Sequence, residues 1–304
     1  MTLTELRYIV TLAQEQHFGR AAERCFVSQP TLSIAVKKLE EELGIALFER
    51  SKSRVQATPL GEKIITQAQL VLEQSAAIKE IANEGKDQLS SPLHVGAIFT
   101  IGPFLFPHFI PELQKLAVDM PLYVEEGYTA TLRQRLRNGE VDVIIVALPF
   151  TEPDVVTQPL YDEPFVVLMP FDHPLAAKTK IDPADLDGHE VLLLGDGHCF
   201  RDQVLAACPN LQPSLEKRGK SRSPSQGSSL DTLRHMVASG LGITILPMSA
   251  AASHYGADIL VTRPFNDPVP QRTVALAWRA SFPRHKAIDQ LRKAINQCHL
   301  GPND

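Results

Sequence analysis

Residues 28–40, Ser-Gln-Pro-Thr-Leu-Ser-Ile-Ala-Val-Lys-Lys-Leu-Glu, decide how the N-terminal part of the chain folds. Ser28 suits an N-cap, since its hydroxyl can accept an unpaired first-turn N–H. Pro30 falls where a missing N–H costs nothing. Leu32, Val36 and Leu39 then form one apolar stripe of a helix. Upstream, a shorter helix begins near Gly19 and turns Ala21 and Ala22 inward, with Cys25 read as core packing. Before it, Leu3, Leu6, Ile9 and Val10 repeat at helical spacing. Two short helices joined by a tight turn predict a helix-turn-helix.

Working outward, Thr58-Pro59 opens a long helix in which Ile64, Ala68, Val71, Ser75, Ile78 and Ala82 recur at spacings of four and three. Such a heptad seam with no other partner in sight predicts pairing with a second copy of the chain. A polar stretch, residues 83–91, follows as a boundary. From Pro92 onward apolar runs alternate with helical patterns: Leu93 to Phe99 extended, Pro107 to Ala117 helical, Leu122 to Glu126 extended, Leu132 to Leu136 helical, Val141 to Ala147 extended. A second series runs through Phe165 to Met169, Val191 to Leu194, Leu230 to Ser239 and Ile243 to Leu246, and Val274 to Trp278 with a helix from His285 to Cys298 closes the chain. That rhythm implies an α/β sheet with crossover helices.

The 304 residues have ordinary soluble composition and a net charge of −5. No apolar run approaches the roughly 18 residues of a membrane span, and the first residues lack a signal-peptide pattern, so a cytoplasmic location is expected. Overall charge gives no reason to expect nucleic acid: residues 1–60 hold eight Lys and Arg against seven Asp and Glu. A local positive cluster does stand out, made of Lys37, Lys38, Arg50, Lys52 and Arg54. It could equally be a solvated helix face. The four cysteines, Cys25, Cys199, Cys208 and Cys298, are too few for a secreted disulfide framework and form no CxxC zinc pair. No metal and no cofactor is expected.

Residues 195–208, Gly-Asp-Gly-His-Cys-Phe-Arg-Asp-Gln-Val-Leu-Ala-Ala-Cys, read as a turn and a helix after the strand Val191 to Leu194. A thiol in a helix's first turn lies near unpaired N–H groups and the positive dipole end. His198 and Arg201 add donors or charge, which together favour thiolate, the reactive form. Nine helical steps separate Cys199 from Cys208, roughly 13 Å at 1.5 Å each, whereas a disulfide needs Cα atoms within about 7 Å. Bonding them would require the helix to unwind. Spacing alone favours two buried small hydrophobes.

Ala21-Ala22, Val27-Ser28-Gln29-Pro30-Thr31-Leu32-Ser33, Lys38-Leu39-Glu40, Leu43-Gly44 and Leu47-Phe48-Glu49-Arg50 together resemble the LysR-type transcriptional regulators. The resemblance implies a winged helix-turn-helix, all-α with a small wing, and a long linker helix. An α/β regulatory domain of two periplasmic-binding-protein-like subdomains would follow. Boundaries are expected at 1–58 for the DNA-binding domain, 59–90 for the linker helix and hinge, and 91–304 for the regulatory domain. Within the last, subdomain I would take 91–162 and 266–304, and subdomain II 163–265. The family pattern places Ser28, Gln29, Pro30, Thr31, Ser33 and Lys37 against double-stranded DNA, with Lys38, Arg50, Lys52 and Arg54 on phosphates.

Gly195-Asp196-Gly197-His198-Cys199 with Arg201-Asp202-Gln203 and Cys208, Ile98 to Pro103, Leu233-Arg234 and Gly242-Ile243-Thr244 resemble the hydrogen-peroxide-sensing members of that family. By that resemblance Cys199 is the peroxidatic thiol and Cys208 the resolving one, joined on oxidation by a reversible disulfide. Thr100, Thr129, His198 and Asp202 would help hold peroxide, while Arg201 either stabilises the thiolate or is an ordinary surface cation. A homodimer or homotetramer is implied, with RNA polymerase and a thiol reductant as further partners, and control of oxidative-stress genes as the output. Two rivals stand beside it: a regulator answering a small organic effector with passive cysteines, and a thiol peroxidase, against which the DNA-binding motif argues. The basic stretch Lys217-Arg218-Gly219-Lys220-Ser221-Arg222 departs from the expected pattern.

Overall fold

A computed structural model describes residues 1–50, 55–82, 88–211, 226–251 and 259–298, with the side chains of residues 50 and 79–82 outside the description. Lys52, Arg54 and the 217–222 stretch lie outside the described residues, as does the Arg50 side chain.

Helices α1 (Leu3–Glu15), α2 (Phe18–Arg24) and α3 (Gln29–Leu43) form the N-terminal unit, and each start is capped by a side chain. Thr2 accepts from Glu5 N, the His17 ring from Gly19 N and Arg20 N, and Ser28 from Thr31 N. Gly44 ends α3 with φ +70, the left-handed conformation that glycine adopts without a Cβ clash. Ile9, Leu12, Ala21, Leu32, Leu39 and Leu47 are fully buried together. The antiparallel hairpin β1 (Phe48–Arg50) and β2 (Val55–Ala57) is the wing. Cys25 is the C-cap of α2, half-buried at the edge of this core.

Helix α4 (Pro59–Ala82) divides the seam read from the sequence. Ala68 is buried in the N-terminal core, with Ile64, Ile65 and Leu72 packed on it, while Val71 and Ile78 stay exposed. The first half of the seam is therefore used by the helix's own domain.

The remainder is built on one continuous sheet. Its strands are β3 (Leu93–Ile98), β4 (Leu122–Gly127), β5 (Val143–Ala147), β6 (Val155–Pro170), β7 (Val191–Leu194), β8 (Gln226–Gly227), β9 (Ile243–Pro247), β10 (Leu260–Pro264) and β11 (Gln271–Arg279). The order is β4-β3-β5-β11-β6-β9-β7-β8, with β10 also on β6. Strand β6 is the spine: from Val155 to Pro164 it pairs with β11, and from Phe165 to Pro170 with β9 and β10. One apolar core gathers residues from β3, β4, β5 and β11 with helices α5 (Gly102–Leu116), α6 (Thr129–Arg137) and α10 (His285–Asn296). The other gathers β7, β9 and the far half of β6 with α7 (Cys199–Ala207), α8 (Leu230–Ala238) and α9 (Met248–Ala251). The chain passes between them along β6 and returns after Phe265, as in periplasmic-binding-protein folds.

Two elements differ from the sequence reading. Helix α5 begins at Gly102 and not Pro107: Pro103 falls in its first turn, where a missing N–H costs nothing, and Pro107 and Pro111 follow one turn apart on the exposed face. Strand β6 begins ten residues before Phe165, since Pro159 and Pro164 obscured its pattern; a register shift opposite Val274 and Ala275 absorbs the irregularity.

Candidate thiol site

Strands β3 and β4 lie parallel and end together at Ile98 and Gly127. Beyond those ends the N-termini of α6 and α7 converge, the position where open α/β sheets form crevices. A small cavity of about 10 Å³ sits there, lined by Phe99, Thr100, Tyr128, Thr129, His198 and Cys199 among others. That is about the smallest volume able to hold a water-sized molecule. Four of the residues singled out in the sequence, Thr100, Thr129, His198 and Cys199, are thus brought together.

Each has a defined role in the geometry. Thr100 is buried, and its hydroxyl accepts from Arg272 Nη1 at 2.8 Å, which leaves its own proton available to donate. His198 is only 6% exposed. Burial holds its imidazole below the usual histidine range, opposed by a hydrogen bond to the Ser228 backbone. Its Nε2 has no partner among the described residues. A neutral ring bonded through its other nitrogen offers Nε2 as an acceptor beside the sulfur. Phe99 and Tyr128 box the ring in, with centroids 6.1 and 4.8 Å from it. Gly197, at φ +94, brings the turn onto Tyr128, whose ring would lie 3.4 Å from a Cβ there.

Arg201 and Asp202 do not line the cavity. Successive helical residues rotate by about 100°, so Arg201 points away from the face that carries Cys199, whereas Asp202, one turn on, shares that face but stays at the exposed surface outside the cavity lining. Arg201 Nη1 donates to Leu194 O at 2.9 Å and Nε lies 3.5 Å from Asp196, while Asp202 is exposed. Arg201 braces the Gly-Asp-Gly turn and does not meet the sulfur.

Sequence reasoning missed the group that supports the cavity from behind. Arg272 on β11 is fully buried and forms a forked contact with Glu163 on β6, Nε and Nη2 at 2.8 and 2.7 Å from one carboxylate oxygen. Its two terminal nitrogens reach the hydroxyl and carbonyl of Thr100, both at 2.8 Å. The other Glu163 oxygen accepts from Ser249 N. The guanidinium also lies 5.2 Å over the Phe200 ring, so one cation touches the cavity wall, the crossing strand and α7.

The two cysteines belong to different cores. Cys199, the first residue of α7, is half-buried against the core around β3, whereas Cys208, the C-cap, is 1% exposed within the core around β7. Both are free thiols. Burial pushes Cys208 up to about 11, so it is neutral near pH 7.

In the N-terminal unit, Gln29, Pro30, Thr31, Lys37 and Lys38 are exposed and Ser33 is half-exposed along α3. Ser28 is committed to capping, with its hydroxyl 2.7 Å from that of Thr31. Lys38 Nζ lies 3.7 Å from the buried Glu5 but is itself exposed, and Lys37 lies 3.5 Å from Glu41 in a fully exposed pair, so both ammonium groups stay open to phosphate.

Residues 3–62 match the family model described as a bacterial regulatory helix-turn-helix protein of the lysR family, and residues 86–298 match the LysR substrate binding domain. The chain belongs to the LysR family of transcriptional regulators. It is 39% identical over 295 residues to the DNA-binding transcriptional dual regulator OxyR of Escherichia coli K12, covering 97% of this chain and 95% of that one. A solved full-length OxyR variant from Pseudomonas aeruginosa is similar at 60% identity with a TM-score of 0.86, covering 99% of this chain and 96% of that chain. A hydrogen-peroxide-bound OxyR mutant from Corynebacterium glutamicum is similar at 34% identity with a TM-score of 0.65, covering 97% and 92%. The LysR family is one of DNA-binding regulators, not enzymes, and among the described residues no helix is long and apolar enough to cross a membrane.

Proposed function

We propose that this LysR-family regulator senses hydrogen peroxide through a reversible Cys199–Cys208 disulfide and controls oxidative-stress genes. The observation that carries the reading is the small cavity whose lining brings Thr100, Thr129 and His198 together with Cys199. Peroxide has two hydroxyls, each donor and acceptor, and the two threonines with the neutral imidazole can satisfy them. Cys199 sulfur attacks one peroxide oxygen, the O–O bond breaks, and the departing hydroxide takes a proton and leaves as water. The resulting sulfenic acid is attacked by Cys208 sulfur, which expels a second water and closes the disulfide.

Closure needs α7 to unwind, and that withdraws Phe200 and Val204 from burial at 2% and 1% exposure. Each costs roughly 1.5–3 kcal/mol. Against a reducing pool, each 30 mV of potential difference supplies about 1.4 kcal/mol, so the oxidant can drive the change. A thiol reductant resets it. On DNA, Gln29, Pro30, Thr31, Ser33 and Lys37 face the groove, and Lys38 with Arg50, Lys52 and Arg54 neutralises phosphate; RNA polymerase is the downstream partner. The molecule works as a homodimer or homotetramer through α4.

One observation favours an organic effector instead: an open groove of about 830 Å³ between the 148–151 and 268–273 loops and α7, where the Gln203 Oε1 has no partner among the described residues. Peptide mass spectrometry separates the readings. Low peroxide is expected to give one disulfide linking residues 199 and 208, with sulfenic acid trapped in Cys208→Ser and absent from Cys199→Ser. Equal trapping in both variants, or an unreactive Cys199, would remove the sensor assignment.

A further inference from the structure

Helix α3 buries Leu32, Val36 and Leu39 at 0%, 1% and 0% exposure, yet Ile34 on the opposite face is 68% exposed. On a helix the neighbours of residue 34 are those three and four positions away: Pro30, Thr31, Lys37 and Lys38, all exposed. Ile34 therefore stands at the centre of the surface whose rim is polar and cationic. Core packing does not account for an isoleucine there, and neither does helix stability, since a β-branched side chain lowers helix propensity relative to Ala, Lys or Gln. The side chain presents a rigid apolar tip flanked by Lys37 and Lys38.

Only one apolar group is displayed on base-pair edges in the major groove, the C5-methyl of thymine. We infer that Ile34 is a specificity-determining residue that packs against a thymine methyl group of the bound DNA. The inference rests on the DNA-binding reading above and adds to it a base identity. Lys37 faces the groove beside the apolar tip, and Lys38 attracts phosphate without carrying base information itself.

The test uses full-length protein and DNA selected from a random-sequence library. Within the selected site each thymine is replaced singly by deoxyuridine, which removes the methyl and keeps every hydrogen-bonding atom. The wild type is expected to lose about fourfold in affinity at one such position, the worth of one buried methylene-sized group. Ile34→Ala should bind the two duplexes equally, and Ile34→Val should keep most of the preference; unchanged thermal melting of both variants shows that the fold is intact. Equal affinity of the wild type for both duplexes at every position overturns the inference while leaving DNA binding in place, and so does an unchanged preference in Ile34→Ala. A library that yields no selected sequence at all overturns the DNA-binding reading itself.

Discussion

Cys208 and Arg272 show how single side chains hold the reduced state. The Cys208 thiol is raised from an ordinary 9.0 to about 11 by burial, so the folded protein favours its neutral form. That contribution to stability is complete below pH 9 and is lost as pH climbs through about 11. Thermal melts of the reduced protein should therefore decline over that window, and less so in Cys208→Ser. Because burial and Glu112 also push Cys298 up to about 11, the comparison belongs in a Cys298→Ser background; identical declines with and without Cys208 would refute the argument. Arg272 supplies a different check. Lysine cannot reproduce a fork that reaches Glu163 and two atoms of Thr100 at once, so Arg272→Lys should slow Cys199 oxidation about tenfold, near the worth of one hydrogen bond to a charged group. Stopped-flow peroxide oxidation would show it, and an unchanged rate would mean that Thr100 needs no such support. These partners could not be read from the chain: Glu163 and Arg272 are 109 residues apart and lie in strands whose pattern gives only the buried face.

Helix α4 shows at the level of an element how much a sequence pattern contains. Its period was legible, but not which half of the seam meets which surface, because Ala68 and Val71 look alike in a heptad and differ only in whether α1 lies over them. Val71 at 38% and Ile78 at 67% exposure remain uncovered, and are the surface proposed for a second copy. Val71→Asp with Ile78→Asp should weaken self-association in sedimentation at low protein concentration while leaving the monomer's helix content unchanged; an unaltered oligomer would move the dimer contact elsewhere. The same contrast runs through the rest of the fold. The cap at Ser28 and the strand before Cys199 were legible because a cap or a short apolar run is a local signal. The start of α5 and the first half of β6 were not, because prolines at 103, 107, 159 and 164 are tolerated only through solvent-facing alignment or a bulge in the finished structure. At the thiol site the same division holds: Cys199 and His198 adjoin in sequence, whereas Tyr128 reaches His198 only through the convergence of α6 and α7.

For the whole molecule the question is how the sensor moves the DNA-reading unit. The two are joined by more than the polypeptide: Glu73 on α4 pairs with Arg279 at the end of β11 at 2.7 Å, with both side chains nearly buried at 11% and 9% exposure. The same carboxylate accepts from Gln69 on its own helix and from the Ser281 hydroxyl. Arg279 is in turn anchored by the carbonyls of Leu136 and Val141, so it moves with the regulatory domain. Gln14 on α1 adds a weaker tie to Asn138 O at 3.4 Å. A packed contact of this kind has discrete arrangements and transmits a shift that a free hinge would absorb. Oxidation is therefore expected to move the protected region of a promoter by position, not only to change affinity. Glu73→Ala removes the nearer of the two carboxylates beside a buried arginine, Asp142 remaining 3.8 Å away, and should loosen the linkage between α4 and the regulatory domain, while the rate of Cys199 oxidation is expected to stay as in the wild type. Footprints of reduced and oxidised wild type should differ, and those of the Glu73→Ala pair should coincide. If the variant still shifts its footprint as the wild type does, the signal travels through the subunit interface and not through α4, whatever the thiols have done.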